Sequence, residues 1–123
     1  MAKYKQSLIL TEVRIKQSLP FADAKRQRIK IELTNKKKLL DCAKQLGVVG
    51  DPTRLKICYL LCHYPEITVS EMAEILDTSI SVVSHSLKKL LKLQLVRRRK
   101  EAQLVYYSLT KNDFNKTLKE FIA

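Results

Sequence analysis

Ser79-Ile80-Ser81-Val82-Val83-Ser84-His85-Ser86-Leu87-Lys88-Lys89-Leu90-Leu91 is the stretch on which the reading of the chain turns. Its apolar residues recur at helical spacing, so Val83, Leu87, Leu90 and Leu91 face a core while Ser81, Val82, Ser84, His85 and Lys88 face away. Ser79 stands where its hydroxyl can cap the helix. Just upstream, Thr68-Val69-Ser70-Glu71 has the form of a capping box ahead of a short helix carrying Met72, Ile75 and Leu76. Asp77 and Thr78 supply the turn between the two. The order is helix, turn, helix, with the polar leading edge of the second helix turned outward.

Upstream, Asp51 caps another helix with Pro52 in its first turn, where a missing N–H costs nothing. Leu55, Cys58, Leu61 and Cys62 give that helix its buried face, and Pro65 ends it. Before it, Leu39, Leu40, Ala43 and Leu46 form an apolar helical stripe, with Gly47 and Gly50 marking the exit. Downstream, residues 95–99 and 104–109 favour β structure on either side of the polar linker Lys100-Glu101-Ala102-Gln103, which predicts a hairpin, or wing. Thr110 and Asp113 open a last helix. Its Phe114, Leu118, Phe121 and Ile122 form an apolar face that a domain this small can offer to a second subunit.

The 123 residues suffice for one modest domain with an appendage, and 46% of them are hydrophobic. With 24 Lys and Arg against 12 Asp and Glu, the net charge of +12 favours a polyanionic partner. The charge is uneven. Residues 1–38 carry eleven basic and three acidic side chains, whereas 39–123 carry thirteen and nine. We therefore divide the chain into a basic N-terminal extension, residues 1–35, and a domain spanning residues 36–123. In the extension, Val13-Arg14-Ile15-Lys16 and Arg28-Ile29-Lys30-Ile31-Glu32-Leu33 alternate apolar with charged, as half-exposed strands do, with Pro20 and Asp23 between them. A hairpin, an extra helix and a disordered basic arm all remain open for this segment.

No apolar run reaches the roughly 18 residues a membrane span needs, and the start of the chain lacks the apolar stretch of a signal peptide. The expected location is the cytoplasm, with no membrane partner. Three cysteines without a framework spacing suit a reducing compartment. Enzymatic chemistry is not expected: there are only two glycines, hence no phosphate-cradling loop, and no Ser/His/Asp or paired-carboxylate arrangement. No cofactor is implied.

Four segments resemble the ArsR/SmtB family of winged-helix repressors over about residues 36–123: 50–57 (Gly-Asp-Pro-Thr-Arg-Leu-Lys-Ile), 83–90 (Val-Ser-His-Ser-Leu-Lys-Lys-Leu), 95–100 (Leu-Val-Arg-Arg-Arg-Lys) and 105–109 (Val-Tyr-Tyr-Ser-Leu). The resemblance implies a mainly α fold with a small β-hairpin wing, a winged helix-turn-helix that is homodimeric and binds an inverted-repeat operator in double-stranded DNA. It also exposes departures. Where many members carry Cys-x-Cys, this chain has Thr68-Val69-Ser70. The family's other metal site begins with Asp and His near the start of the last helix, where this chain has Lys111 and Asp113, and the sequence stops before the second pair of that site. The wing tip has Ala102 where the family prefers Gly, and Gln103 where a basic residue is frequent. The expectation is thus a repressor lacking the common metal sites.

In the docking mode of such helices, Ser81, Val82, Ser84 and His85 are the candidates to meet base edges, with Ser79 beside them in the DNA-binding set. Lys88, Lys89, Arg97, Arg98, Arg99 and Lys100 are the candidates for phosphate. No bidentate Arg, Asn or Gln reader stands among the first group, so shape and backbone contacts are expected to carry much of the affinity. Arg54 suits either a backbone or a phosphate contact, and Tyr106 and Tyr107 suit packing. Two rivals follow from other features. Cys42, Cys58 and Cys62 could form a thiol or metal sensor, although buried packing is the commoner use of such cysteines. The basic extension could instead be the main grip of an architectural or RNA-binding protein.

Overall fold

The computed structural model describes residues 22–123. The chain divides into a first unit of residues 1–37 and a second of 38–123. The described part of the first unit is one helix, α1 (Asp23–Asn35). The strand expectation for Arg28–Leu33 is therefore corrected to helix. That for Val13–Lys16 lies outside the described residues. The alternation needs a neighbouring strand to give it meaning, whereas Lys, Arg, Gln, Glu and Ala are good helix formers. Local bonds of helical spacing accompany it: Arg26 bonds the Asp23 carboxylate, and the Thr34 hydroxyl donates to the Lys30 carbonyl at 2.9 Å.

The second unit opens on α2 (Lys37–Val49), whose first residue falls at the boundary. Its stripe of Leu39, Leu40, Ala43 and Leu46 does not enter the core; all four are exposed, and Val49 is the buried residue. Gly47 lies within the helix, so the exit is Gly50 alone. A Cβ on Gly50 would stand 2.9 Å from the Leu46 carbonyl oxygen, the same oxygen that accepts the Gly50 N–H, so the close approach requires glycine. Helix α3 (Pro52–His63) follows, with the Asp51 carboxylate accepting the Arg54 N–H at 3.1 Å. It buries Ile57, Cys58, Leu60 and Leu61.

A short strand β1 (Ile67–Thr68) leads into α4 (Val69–Ile75), capped by the Thr68 hydroxyl, which accepts from Glu71 N–H at 3.2 Å. Helix α5 (Ile80–Lys92) comes next, then β2 (Val96–Glu101), β3 (Leu104–Leu109) and α6 (Asp113–Ile122). The three strands form one antiparallel sheet in the order β1-β3-β2. Ile57, Cys58, Met72, Val83, Leu87, Leu90 and Leu95 are fully enclosed where α3, α4 and α5 meet the base of the sheet. This is a winged helix-turn-helix. Two details depart from the sequence reading. The hairpin turn is only Ala102-Gln103, because β2 extends to Glu101, and Asn112 rather than Thr110 caps α6, its Oδ1 accepting Asn115 N–H at 2.8 Å. The Thr110 hydroxyl instead donates to the Gln94 carbonyl at 2.6 Å.

Candidate nucleic-acid interface

The turn before α5 is tight because both of its sides are hydrogen-bonded shut. At the end of α4, Thr78 N–H reaches Ala73 O (3.0 Å) and Asp77 N–H reaches Glu74 O (3.2 Å), with Asp77 at φ 53°. That is a Schellman closure, and aspartate is among the residues that accept the left-handed conformation. Ser79 then accepts Val82 N–H at 3.1 Å and starts α5. The far end of α5 closes the same way: Gln94 sits at φ 58°, with Gln94 N–H on Leu91 O (2.9 Å) and Leu95 N–H on Leu90 O (3.0 Å). Leu90 and Leu95, the apolar pair that accompanies this motif, are both fully buried. Helix α5 is thus anchored at both ends and along Val83, Ser86, Leu87 and Leu90.

On the opposite side, Ser79, Ser81, Val82, His85, Lys88 and Lys89 are exposed, Val82 at 44%. Ser84 is half-buried, so its hydroxyl is less open than its neighbours. Ile80, also exposed, belongs to the same leading turn; an apolar side chain there reads as core from the sequence, which hides its place on the surface. The turn offers hydroxyl, imidazole and methyl groups, matched to purine N7, phosphate oxygen and thymine methyl. Lys88 and Lys89 lie one to two turns further along and can neutralise phosphates beside it.

The wing splits its four cations by strand geometry. Paired residues share a face of a sheet, and Arg97 pairs Ser108, Arg98 pairs Tyr107, Arg99 pairs Tyr106 and Lys100 pairs Val105. Arg97 and Arg99 therefore point to one face, Arg98 and Lys100 to the other, and all four are exposed. Arg99 is engaged within the protein. It bonds Glu66 with Nε (3.0 Å) and Nη2 (3.2 Å), bonds Glu101 with Nη1 (2.6 Å), and lies 4.7 Å from the centre of the Tyr106 ring. The Glu66 bond first, and the Glu101 bond second, hold its guanidinium still more firmly protonated than usual. No local pattern points to Glu66, because the pairing spans 33 residues and depends on β1 lying against β3. Arg54, with only 15% of its side chain exposed, donates from Nε to the Val48 carbonyl, so its bond is with backbone and ties the end of α2 to α3.

The family model described as "Bacterial regulatory protein, arsR family" matches residues 51–98, from the cap of α3 to the wing strand. The chain is 30% identical over 77 residues to the arsenical resistance operon repressor of Bacillus subtilis, spanning 63% of this chain and 73% of that protein. The chain belongs to the ArsR family. It is also 41% identical over 70 residues to a cadmium resistance transcriptional regulatory protein CadC homolog of Staphylococcus aureus. That match covers 57% of this chain and 58% of that relative, so the chain spans little more than half of its length. Among solved structures, HlyU from Vibrio cholerae superposes with a TM-score of 0.66 at 29% identity, covering 70% of this chain and 92% of that one.

The three cysteines differ in exposure. Cys42 is exposed on α2, Cys58 is fully buried in α3 and Cys62 is half-buried one turn later. Burial, with a smaller push from Cys62, drives the Cys58 thiol up to about 12, and burial raises Cys62 despite the opposing pull of Lys119. A thiol so raised is a poor nucleophile and a poor metal ligand at neutral pH. Among the described residues, no three His, Cys, Asp or Glu side chains gather as a metal site would require. No described helix is long and apolar enough to cross a membrane.

The four residues expected at a subunit interface are also divided. Phe114, Leu118 and Ile122 pack partly on their own core, while Phe121 is 87% exposed. Beside Ile122 lies an apolar hollow of about 570 Å³, lined by Gly50, Pro52, Leu55 and Tyr59 among others. The leucines of α2 add Leu39 (47%), Leu40 (58%) and Leu46 (55%) to the exposed apolar surface.

Proposed function

We propose that this ArsR-family protein is a transcriptional repressor that binds a double-stranded operator as a homodimer. The observation that carries the reading is the leading turn of α5, polar and exposed on a helix whose other side is fully buried. A rigid helix with a free N-terminal edge is what the major groove admits. Ser79, Ser81, Val82, Ser84 and His85 meet base edges or nearby phosphates, with Ser84 the least accessible. Lys88, Lys89, Arg97, Arg98 and Lys100 meet phosphates. Arg99 contributes chiefly by fixing the wing to Glu66, since its bonds are already satisfied within the protein.

The second subunit covers the leucines of α2 and Phe121 of α6, surfaces whose exposure on a lone chain favours association. Two-fold symmetry of the protein then calls for two-fold symmetry in the site, an inverted repeat with half-sites about one helical turn apart or a multiple of it. Residues 36–123 carry this activity, with residues 1–35 as an extension. The raised thiol of Cys58 counts against a thiol or metal switch. Selection of bound sequences from random duplex DNA tests the reading. It predicts an inverted-repeat consensus that weakens with Ser81→Ala and His85→Ala; enrichment of no sequence by the folded protein would overturn it.

A further inference from the structure

We infer that α1 is a second DNA-binding element, which grips the phosphate backbone of the duplex without reading its bases. The inference rests on the DNA-binding reading above and extends it to a part of the chain that the winged unit does not explain. Helix α1 buries no residue, and Ala22 at its N-cap makes no side-chain capping bond. Ile29 and Leu33 share a face and Ile31 lies nearly opposite, but Ile31 and Leu33 are 52% and 58% exposed and Ile29 is only half-buried, so no apolar side of the helix is packed. A thirteen-residue helix with neither a cap nor a packed side is marginal in water. Something other than a core must favour it.

Its side chains name the partner. Within α1 four basic residues, Lys25, Arg26, Arg28 and Lys30, stand against Asp23 and Glu32, and Lys36 and Lys37 follow directly. Arg26 is paired to Asp23, but Arg28 and Lys30 lie on different sides of the helix and are exposed. Cations spread around a helix, with no aromatic residue between them, suit a regular array of phosphates and give no means of stacking on unpaired bases. Duplex DNA carries one charge per roughly 1.7 Å, and each neutralised phosphate releases condensed counterions. That release supplies the free energy that packing does not. Because backbone contacts carry no sequence information, α1 raises affinity for every duplex alike and leaves operator preference to α5.

The test uses the full chain with Arg28→Gln and Lys30→Gln combined, both at exposed positions of α1. Binding is measured to the selected duplex, to an unrelated duplex and to a structured RNA of equal length, from about 50 to 200 mM salt. The inference predicts that affinity for both duplexes falls by the same factor. The slope of log affinity against log salt becomes shallower by about 0.9 for each phosphate no longer neutralised, or roughly 1 to 2 in all. The ratio between the two duplexes stays unchanged. An unaltered slope in a chain that still prefers its operator overturns the role of α1 alone. So does a loss confined to RNA, which would assign the helix to a different partner. A parent chain that binds neither duplex overturns both this inference and the reading on which it rests.

Discussion

Helices α2 and α5 are each thirteen residues long, and each carries a leucine-rich stripe, yet the stripes end in opposite environments. In α5, Val83, Leu87 and Leu90 are completely enclosed; in α2, Leu39, Leu40 and Leu46 are about half exposed. Periodicity establishes that a helix has an apolar side. It does not say which molecule covers that side. For α5 the cover is α3, α4 and the base of the wing, within the same chain, and this frees the polar edge for a ligand. For α2 only the end, Val48 and Val49, meets the chain's own core, and the proposed cover is a second subunit.

The largest effect falls on the inward stripe. Leu87→Ala removes a fully buried side chain and should cost about 2–5 kcal/mol of folding stability in urea titrations. Leu46→Asp on α2 should leave the helical signal of dilute protein intact while weakening self-association roughly tenfold or more, as read by sedimentation. If Leu46→Asp costs as much folding stability as Leu87→Ala, the two stripes do not differ in the way described. A smaller gain is expected in the wing, where Ala102 holds φ at 55°, a conformation that costs a residue with a Cβ about 1–2 kcal/mol. Ala102→Gly should therefore raise the melting temperature without altering operator preference. The smallest effect is that of Glu66→Gln: it should speed hydrogen exchange of wing amides at low salt only, because the pair with Arg99 is exposed and screened.

The elements of the second unit are legible in the sequence wherever a local device announces them. Asp51, Thr68 and Ser79 cap the helices that the sequence assigns to them, and Val83, Leu87 and Leu90 are inside. Features set by distant partners are not legible. The strand β1 is two residues long, too short for a pattern, and without it neither the sheet order nor the Glu66–Arg99 bond can be foreseen. Arg28–Leu33 shows the converse failure, since an alternating pattern predicts a strand only where a partner strand exists. Among the candidate site residues, the exposed turn of α5 follows from helical spacing alone. The engagement of Arg99 does not, because four consecutive basic residues look equivalent until the pairing register separates them.

On this mechanism the leading turn of α5 discriminates sequence. The most direct measurement is the ratio of affinities for the selected operator and an unrelated duplex, compared between two variants. Ser81→Ala with His85→Ala should lower that ratio by about 1 kcal/mol for each hydrogen bond to a base edge no longer made, with folding unchanged. Lys88→Gln with Lys89→Gln should weaken both duplexes together and leave the ratio in place. An unchanged ratio in the first variant, with the fold intact, would contradict the account.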